Sequence, residues 1–98
     1  MMTSKDEQRR PAWRVYILCC ADGSFYTGAT NRLEKRLLDH NRGTASKYTR
    51  SRRPVTLLAT SDEMNQGEAL RLEIEIKKMP KAKKIAGLQA AGADTKSL

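Results

Sequence analysis

Residues 15–29 read Val-Tyr-Ile-Leu-Cys-Cys-Ala-Asp-Gly-Ser-Phe-Tyr-Thr-Gly-Ala, and this segment predicts the centre of the fold. Trp13 to Cys19 is rich in β-branched and aromatic residues, which favour strands. Asp22-Gly23 is a strong two-residue hairpin signal, and Ser24 to Ala29 then forms the returning strand. The predicted hairpin places Tyr16 and Tyr26 on neighbouring antiparallel strands, where they contact each other if both point to one face.

The other segments predict helices around a small sheet. After the hairpin we expect a helix (33–40), a basic loop (42–54), a strand (55–61), a helix (68–78) that Pro80 ends and a last helix (81–90). Thr30 or Asn31 is the expected N-cap of the first helix, which ends between residues 41 and 43. The order ββαβαα predicts an α+β fold with a small antiparallel sheet. One domain, residues 13–90, is expected between disordered segments at 1–12 and 91–98.

The formal net charge of +8 is concentrated in two segments of the sequence. Residues 31–53 hold eight Lys and Arg against two acidic residues, and residues 77–84 hold five Lys and no acid. Focused positive charge favours a polyanionic partner, most simply nucleic acid. An anionic membrane surface is disfavoured, because no segment is both strongly basic and rich in large apolar anchors.

The sequence predicts neither a membrane span nor secretion. The longest apolar run, residues 15–21, is too short to cross a bilayer, and the N-terminus lacks the apolar core of a signal peptide. Cys19 and Cys20 are adjacent and lack the spacing of a zinc site, so we expect one to pack inside and the other to face out, as strand alternation requires. We expect a cytoplasmic protein, and no pattern in the sequence indicates its oligomeric state.

Glu73 is the most informative residue of the predicted helix 68–78. At roughly 100° per residue, it falls near the middle of an apolar arc formed by Ala69, Leu70, Leu72, Ile74 and Ile76. A carboxylate facing a core is costly unless a cation, a metal or several donors accompany it. Glu73 therefore pairs with Lys77 at i+4, forms a structural ion pair with Arg36, or lines a cleft that water and a ligand enter.

Five side chains suggest phosphodiester hydrolysis if one face of the hairpin meets both helices: Tyr16, Tyr26, Arg36, His40 and Glu73. A single carboxylate suits Mg²⁺, which keeps several waters and also binds phosphate oxygens. Arg36 would stabilise charge on the phosphoryl oxygens, and a tyrosine or His40 would take the proton of the attacking water. Deprotonating a free tyrosine at pH 7 costs roughly 4 kcal/mol, which Arg36 and a metal must offset unless His40 is the base.

These residues also fit purely structural roles. Tyr16 and Tyr26 are potential cross-strand packing partners. His40 is a potential surface residue near the C-terminus of its helix.

The motifs Val15-Tyr16-Ile17 and Tyr26-Thr27-Gly28, followed by Arg36, His40 and Glu73, resemble the GIY-YIG endonuclease superfamily in order and spacing. The segments 43–54 and 73–84 resemble its small stand-alone bacterial (YhbQ-like) branch. The resemblance covers residues 13–90. It implies an α/β sandwich around a three-stranded antiparallel sheet.

The resemblance also implies a nuclease site that uses Mg²⁺ or Mn²⁺ and no small-molecule cofactor. Glu73 would be the metal ligand, Tyr16 the general base, Tyr26 its supporting hydroxyl, and Arg36 and His40 the groups that handle phosphate and water. The substrate-binding residues that it implies are Gly28, which keeps the strand free of a side chain, Asn31, which shapes the turn into the helix, and Tyr48, Thr49, Arg50 and Lys77.

Three functions follow from these patterns. The first is an endonuclease that acts on DNA, with structure-selective cleavage in DNA repair or processing, because larger family members carry a separate DNA-recognition domain that this sequence lacks. The second is a nucleic-acid-binding module without catalysis, which rests on the charge distribution and predicts salt-sensitive binding without cleavage. The third is an adaptor that binds protein through the basic loop.

Overall fold

A computed structural model describes the backbone of residues 12–97 and the side chains of residues 12–91. The predicted hairpin is confirmed: β1 (Arg14–Cys19) pairs antiparallel with β2 (Phe25–Thr30), and Tyr16 lies opposite Gly28. Asp22 closes the turn, since its Oδ1 accepts hydrogen bonds from the backbone N–H and the hydroxyl of Ser24. The third strand, β3 (Thr56–Thr60), pairs antiparallel with the other edge of β1. The strand order β2-β1-β3 therefore places β1 in the centre of the sheet.

Four helices complete the described part of the chain: α1 (Leu33–Arg42), the one-turn α2 (Lys47–Arg50), α3 (Gln66–Lys77) and α4 (Lys81–Ser97). The element order ββαβαα is confirmed for the main elements, and α2 lies inside the segment that was predicted to be a loop. No helix in the described range is long and apolar enough to cross a membrane.

The two faces of β1 pack against different helices, as strand alternation requires. Val15 and Ile17 pack in a core with Ala59 of β3, Ala69 and Ile76 of α3 and Leu88 of α4. Tyr16 and Leu18 point to the opposite face, where Leu33 and Leu37 of α1 cover them. The sequence analysis supposed that one face meets both helices, and the structure corrects this: α1 and α3 lie on opposite faces.

The N-terminal ends of α1 and α3 differ from the prediction. The predicted N-cap of α1 is wrong, because Arg32 occupies that position without a side-chain cap, while the hydroxyl of Thr30 accepts from the Arg32 N–H. The C-terminal boundary is confirmed by Gly43, which has φ 86°. α3 begins earlier than predicted because Asn65 and Glu68 form a capping box.

The last helix was predicted to end at Ala90, whereas α4 continues to Ser97. Disorder of residues 91–98 stays a prediction. Gly92 lies inside this helix. A glycine in a helix interior costs about 1 kcal/mol relative to alanine, which is too little to end a helix by itself. Residues 1–11 of the predicted N-terminal segment lie outside the described residues, as does Leu98.

The packed face of α3 is narrower than the predicted apolar arc. Ala69 and Ile76 are fully buried, and Leu72 and Glu73 are partly buried, which gives the i, i+3, i+4, i+7 pattern of one helix face. Leu70 and Ile74 are 42% and 55% exposed and belong to the other side. Glu73 therefore lies on the packed face of α3, as predicted, although two of its supposed apolar neighbours do not.

Candidate active site

Tyr16 lies at the centre of the candidate site, and Gly28 makes room for its ring. The phenol of Tyr16 crosses the neighbouring strand at Gly28, its partner in the β1–β2 register. A Cβ atom at position 28 would lie 2.6 Å from Cζ of Tyr16, which is inside van der Waals contact. Gly28 is buried beneath the phenol, so the effect that the structure assigns to it is on the position of Tyr16. With 2% exposure, Tyr16 is held between the sheet and α1.

His40 brings an imidazole to the Tyr16 hydroxyl from the last turn of α1. Its Nε2 atom lies 2.9 Å from the Tyr16 oxygen, and its Nδ1 atom lies 2.8 Å from Oγ1 of Thr49. The side chain is fully buried, so the alternative of a surface histidine is wrong. Burial lowers the pKa of His40, and the nearby positive charge of Arg36 lowers it further. The imidazole is therefore neutral at neutral pH.

Thr49 is fully buried on α2 and contacts His40. Its hydroxyl lies 2.9 Å from Oγ of Ser46, the N-cap of α2, which also accepts the Thr49 backbone N–H at 3.1 Å. Thr49 was predicted to bind substrate, whereas the structure buries its side chain completely against His40 and Ser46. Sequence analysis missed Ser46, although a serine three residues before Thr49 is a capping signal.

The pKa of Tyr16 reports the charges and the burial that surround its hydroxyl. It is raised to about 12, chiefly by burial and also by the neighbouring Tyr26. Arg36 acts in the opposite direction, as a hydrogen-bond donor to the phenol and as a positive charge, while the carboxylate of Glu73 contributes a smaller increase. Arg36 and Glu73 thus both influence the Tyr16 hydroxyl electrostatically, although α1 and α3 lie on opposite faces of the sheet, and the convergence of all five side chains on one substrate stays a prediction.

An aromatic row connects this buried centre to the surface. The ring centroid of Tyr26 lies 5.0 Å from that of His40, 6.5 Å from that of Tyr16 and 5.9 Å from that of Tyr48. Tyr48 is 38% exposed, and the guanidinium of Arg52 stacks on its ring at 3.8 Å from the centroid. Arg52 is also anchored by an ion pair with Asp22 at 3.0 Å. Arg52 was predicted only as part of the basic loop. Its stacking on Tyr48 was not predicted, because a contact of this kind has no local sequence signal.

Glu73 is paired with Lys77 at 3.0 Å, which was one of the open alternatives. The Glu73 side chain is 19% exposed, whereas Lys77 is 52% exposed. A solvent-exposed lysine pairs weakly and leaves a carboxylate at little cost. Lys77 therefore does not block Glu73 from a cation, and a role for Lys77 in substrate binding stays a prediction.

A divalent cation fits Glu73 only if most of its ligands come from elsewhere. Within residues 12–91, no group of three or more His, Cys, Asp or Glu side chains is arranged to hold a metal. Mg²⁺ suits such a site, because it commonly binds through one or two carboxylates and completes its shell with water and substrate phosphate. Glu73 is thus the residue that would hold the ion.

Two concave surfaces contain the remaining predicted residues. Asn31 is exposed and lines a depression of about 240 Å³ together with Arg32, Lys35 and Arg36. Arg50 is exposed on α2 and lines a second depression, of about 450 Å³, with Arg53 and Asn41. Both depressions are basic and open to solvent, so they are suited to phosphate groups.

The fold and the site define the class of protein. Residues 12–86 match the GIY-YIG catalytic domain, and the chain belongs to the GIY-YIG family. This domain is typical of endonucleases.

The relatives are small proteins that share most of the chain, and they support a place in the stand-alone branch of the family. The UPF0213 protein of Nitratidesulfovibrio vulgaris is 46% identical over 82 residues, which cover 84% of this chain and 74% of that protein. The UPF0213 protein XAC3202 of Xanthomonas axonopodis is 45% identical over 78 residues, covering 80% and 76%. The solution NMR structure of protein EF2693 from E. faecalis is 39% identical, has a TM-score of 0.53 and covers 76% of this chain and 80% of that one.

Proposed function

We propose that this protein is a divalent-metal-dependent endonuclease that hydrolyses phosphodiester bonds in DNA. The observation that carries the proposal is the buried Tyr16–His40 pair, with Nε2 at 2.9 Å from the phenol oxygen, under the influence of Arg36 and Glu73. Membership of the GIY-YIG family supports the reaction class. The two basic segments support a polyanionic substrate.

In the resting protein the proton stays on Tyr16. A pKa of about 12 means that a free phenolate at pH 7 would cost on the order of 7 kcal/mol. The neutral imidazole of His40 is within hydrogen-bonding distance and accepts the phenol proton through Nε2. As water attacks phosphorus, the Tyr16 oxygen takes the proton of that water while its own proton passes to His40. Transferring both protons together avoids the free phenolate.

Arg36 stabilises the negative charge that forms during this transfer. Its guanidinium acts on the Tyr16 oxygen as a donor and as a positive charge. Arg36 also lines the open depression beside Asn31, so the same side chain is accessible to a phosphate oxygen. A cation held by Glu73 would supply polarisation of the phosphodiester and stabilisation of the leaving oxygen.

The two basic depressions beside the site are open to solvent, which favours a substrate that binds to an open surface. Cleavage that selects DNA structure, in repair or processing, is the role that we propose, with the exposed Tyr48 and the basic depressions as the contact surface.

Cleavage assays with a matched pair of variants test the proposal. Supercoiled, branched and single-stranded DNA, and RNA, are incubated with the protein and Mg²⁺ or Mn²⁺. We expect metal-dependent cleavage that falls by about 10² to 10³-fold in Glu73→Gln, since an interaction that stabilises transition-state charge is lost. Glu75→Gln is the control, because Glu75 is exposed on the same helix and differs from Glu73 mainly in its orientation.

Absence of cleavage with every substrate and metal would contradict the proposal. The Glu73–Lys77 ion pair favours a second candidate, a nucleic-acid-binding module without catalysis, in which that carboxylate has only a structural partner. In that case binding weakens steeply with salt, no cleavage occurs, and Glu73→Gln changes only stability.

A further inference from the structure

Four buried or partly buried side chains form one continuous hydrogen-bonded row, of which the proposed mechanism uses only the first two. The row is Tyr16–His40–Thr49–Ser46, with separations of 2.9 Å, 2.8 Å and 2.9 Å between successive polar atoms. Thr49 is as completely buried as His40. Its hydroxyl lies between Nδ1 of His40 and Oγ of Ser46, the helix cap. This position allows Thr49 to determine which ring nitrogen of His40 carries the proton.

The burial of the Tyr16 hydroxyl fixes the direction of the row. Tyr16 is 2% exposed, and Nε2 of His40 is the hydrogen-bond partner that the described residues place at its phenol oxygen. The hydrogen of the phenol therefore points to Nε2 of His40. In the opposite direction Nε2–H would donate to the phenol oxygen, and the hydrogen of this buried phenol would need another acceptor, whereas Ser46 at the other end of the row is only partly buried.

With Nε2 as the acceptor, the single proton of the neutral imidazole lies on Nδ1. Nδ1–H then donates to Oγ1 of Thr49 at 2.8 Å. The Thr49 hydroxyl donates to Oγ of Ser46, which also accepts the backbone N–H of Thr49. In this arrangement the hydrogens of the Tyr16 hydroxyl, of Nδ1 and of the Thr49 hydroxyl each have one acceptor.

We infer that Thr49 is a positioning residue that holds the proton of His40 on Nδ1, so that Nε2 stays free to accept the proton of Tyr16. Ser46 supports it by fixing the Thr49 hydroxyl from the N-cap of α2. The catalytic consequence rests on the proposed nuclease function, whereas the position of the proton on the ring does not. Thr49 thus acts through His40 and touches no substrate.

The chain offers an unambiguous spectroscopic test because it contains one histidine. In protein labelled with ¹⁵N-histidine, long-range ¹H–¹⁵N spectra at neutral to mildly basic pH distinguish a protonated Nδ1 from a protonated Nε2. We expect protonated Nδ1 in the natural protein and in Thr49→Ser, which keeps the hydroxyl. We expect Thr49→Val to give a mixture of the two forms or protonated Nε2.

Kinetics with the same variants test the consequence for cleavage. Thr49→Val should lower kcat by about 10- to 100-fold and leave KM within about twofold, because only part of the benefit of proton transfer is lost. Thr49→Ser should recover most of kcat, and Ser46→Ala should give a smaller loss than Thr49→Val. Thr56→Val is the control, since Thr56 is an exposed threonine on β3.

Protonated Nε2 in the natural protein, or a ring that is the same in Thr49→Val as in the natural protein, would overturn the inference. If Thr49→Val does not fold, Ser46→Ala and the tautomer of the natural protein decide the question. If the natural protein cleaves nothing but its ring is protonated on Nδ1 and changes in Thr49→Val, the proposed function fails and the positioning role of Thr49 stands.

Discussion

The two faces of β1 are built from alternate residues of one strand, yet their surroundings differ in kind. On one face Val15 and Ile17 pack in an apolar core with side chains of β3, α3 and α4, and the aromatic rings of Trp13 and Phe25 lie against it. On the other face Tyr16 shares its buried environment with an imidazole and a threonine hydroxyl. The first face stabilises the fold through burial of apolar surface. The second face also buries polar groups, which must all be hydrogen-bonded.

Residues that stabilise the apolar core and residues that form the candidate site therefore alternate along β1. Residues 15 and 17 serve the apolar core, and residue 16 between them serves the candidate site. Changes on the two faces should therefore have different signatures, and three experiments test the separation.

The largest effect is expected for Tyr16→Phe on the polar face. Loss of the phenol oxygen removes the group that we propose to take the proton of water, so cleavage should fall by about 10³-fold. The free energy of unfolding should fall by only about 1 to 3 kcal/mol, because Nε2 of His40 loses its partner. Cleavage rates and urea unfolding of the same preparation measure both quantities. Cleavage at the natural rate would remove Tyr16 from the mechanism.

The opposite signature is expected for Ile76→Ala on the apolar face. Ile76 is fully buried, so its truncation should lower the free energy of unfolding by about 2 to 5 kcal/mol. The rate of cleavage per folded molecule should stay within about twofold, since the cavity forms away from His40. Urea unfolding gives the stability, and cleavage below the unfolding transition gives the rate. A large loss of rate in folded protein would mean that the faces are coupled. Ile74→Ala, at an exposed position of the same helix, is the control.

The smallest effect is expected from pH. The pKa of His40 is lowered in the folded protein, so below its ordinary value near 6.5 the unfolded chain binds the proton more readily. The contribution of neutral His40 to the free energy of unfolding should be complete above about pH 6.5. As the pH drops below that value, the free energy of unfolding should fall by at most about 1.4 kcal/mol per pH unit from this group. Urea unfolding between about pH 5 and pH 8 measures the slope. His40→Gln should flatten it, whereas Ile76→Val should preserve it; an equal slope in all three proteins would assign it to other groups.

The local patterns predicted the part of the fold that short-range physics controls. Strand alternation and the Asp22-Gly23 turn were sufficient for the hairpin, and Gly43 was sufficient for the end of α1. The order of the main elements and the three-stranded antiparallel sheet are likewise confirmed. The proximity of Tyr16 and Tyr26 followed from the same hairpin.

What the sequence left open depends on contacts between distant segments. An apolar arc on α3 did not reveal that Leu70 and Ile74 face solvent, because periodicity identifies a broad apolar side and not the residues that a particular sheet covers. Thr49 belongs to a short basic segment whose composition suggests a surface. Its burial follows from the contact with His40, nine residues earlier in the chain, and no local signal reports that contact.

The close approach of the phenol to the neighbouring strand limits which residues positions 16 and 28 can hold together. Any side chain at position 28 would occupy the space of the Tyr16 ring. A lineage that acquires alanine there must therefore move or surrender the tyrosine, and one that loses the tyrosine is released from the need for glycine. We therefore expect the residues at positions 16 and 28 to change together, although eleven residues separate them in the sequence.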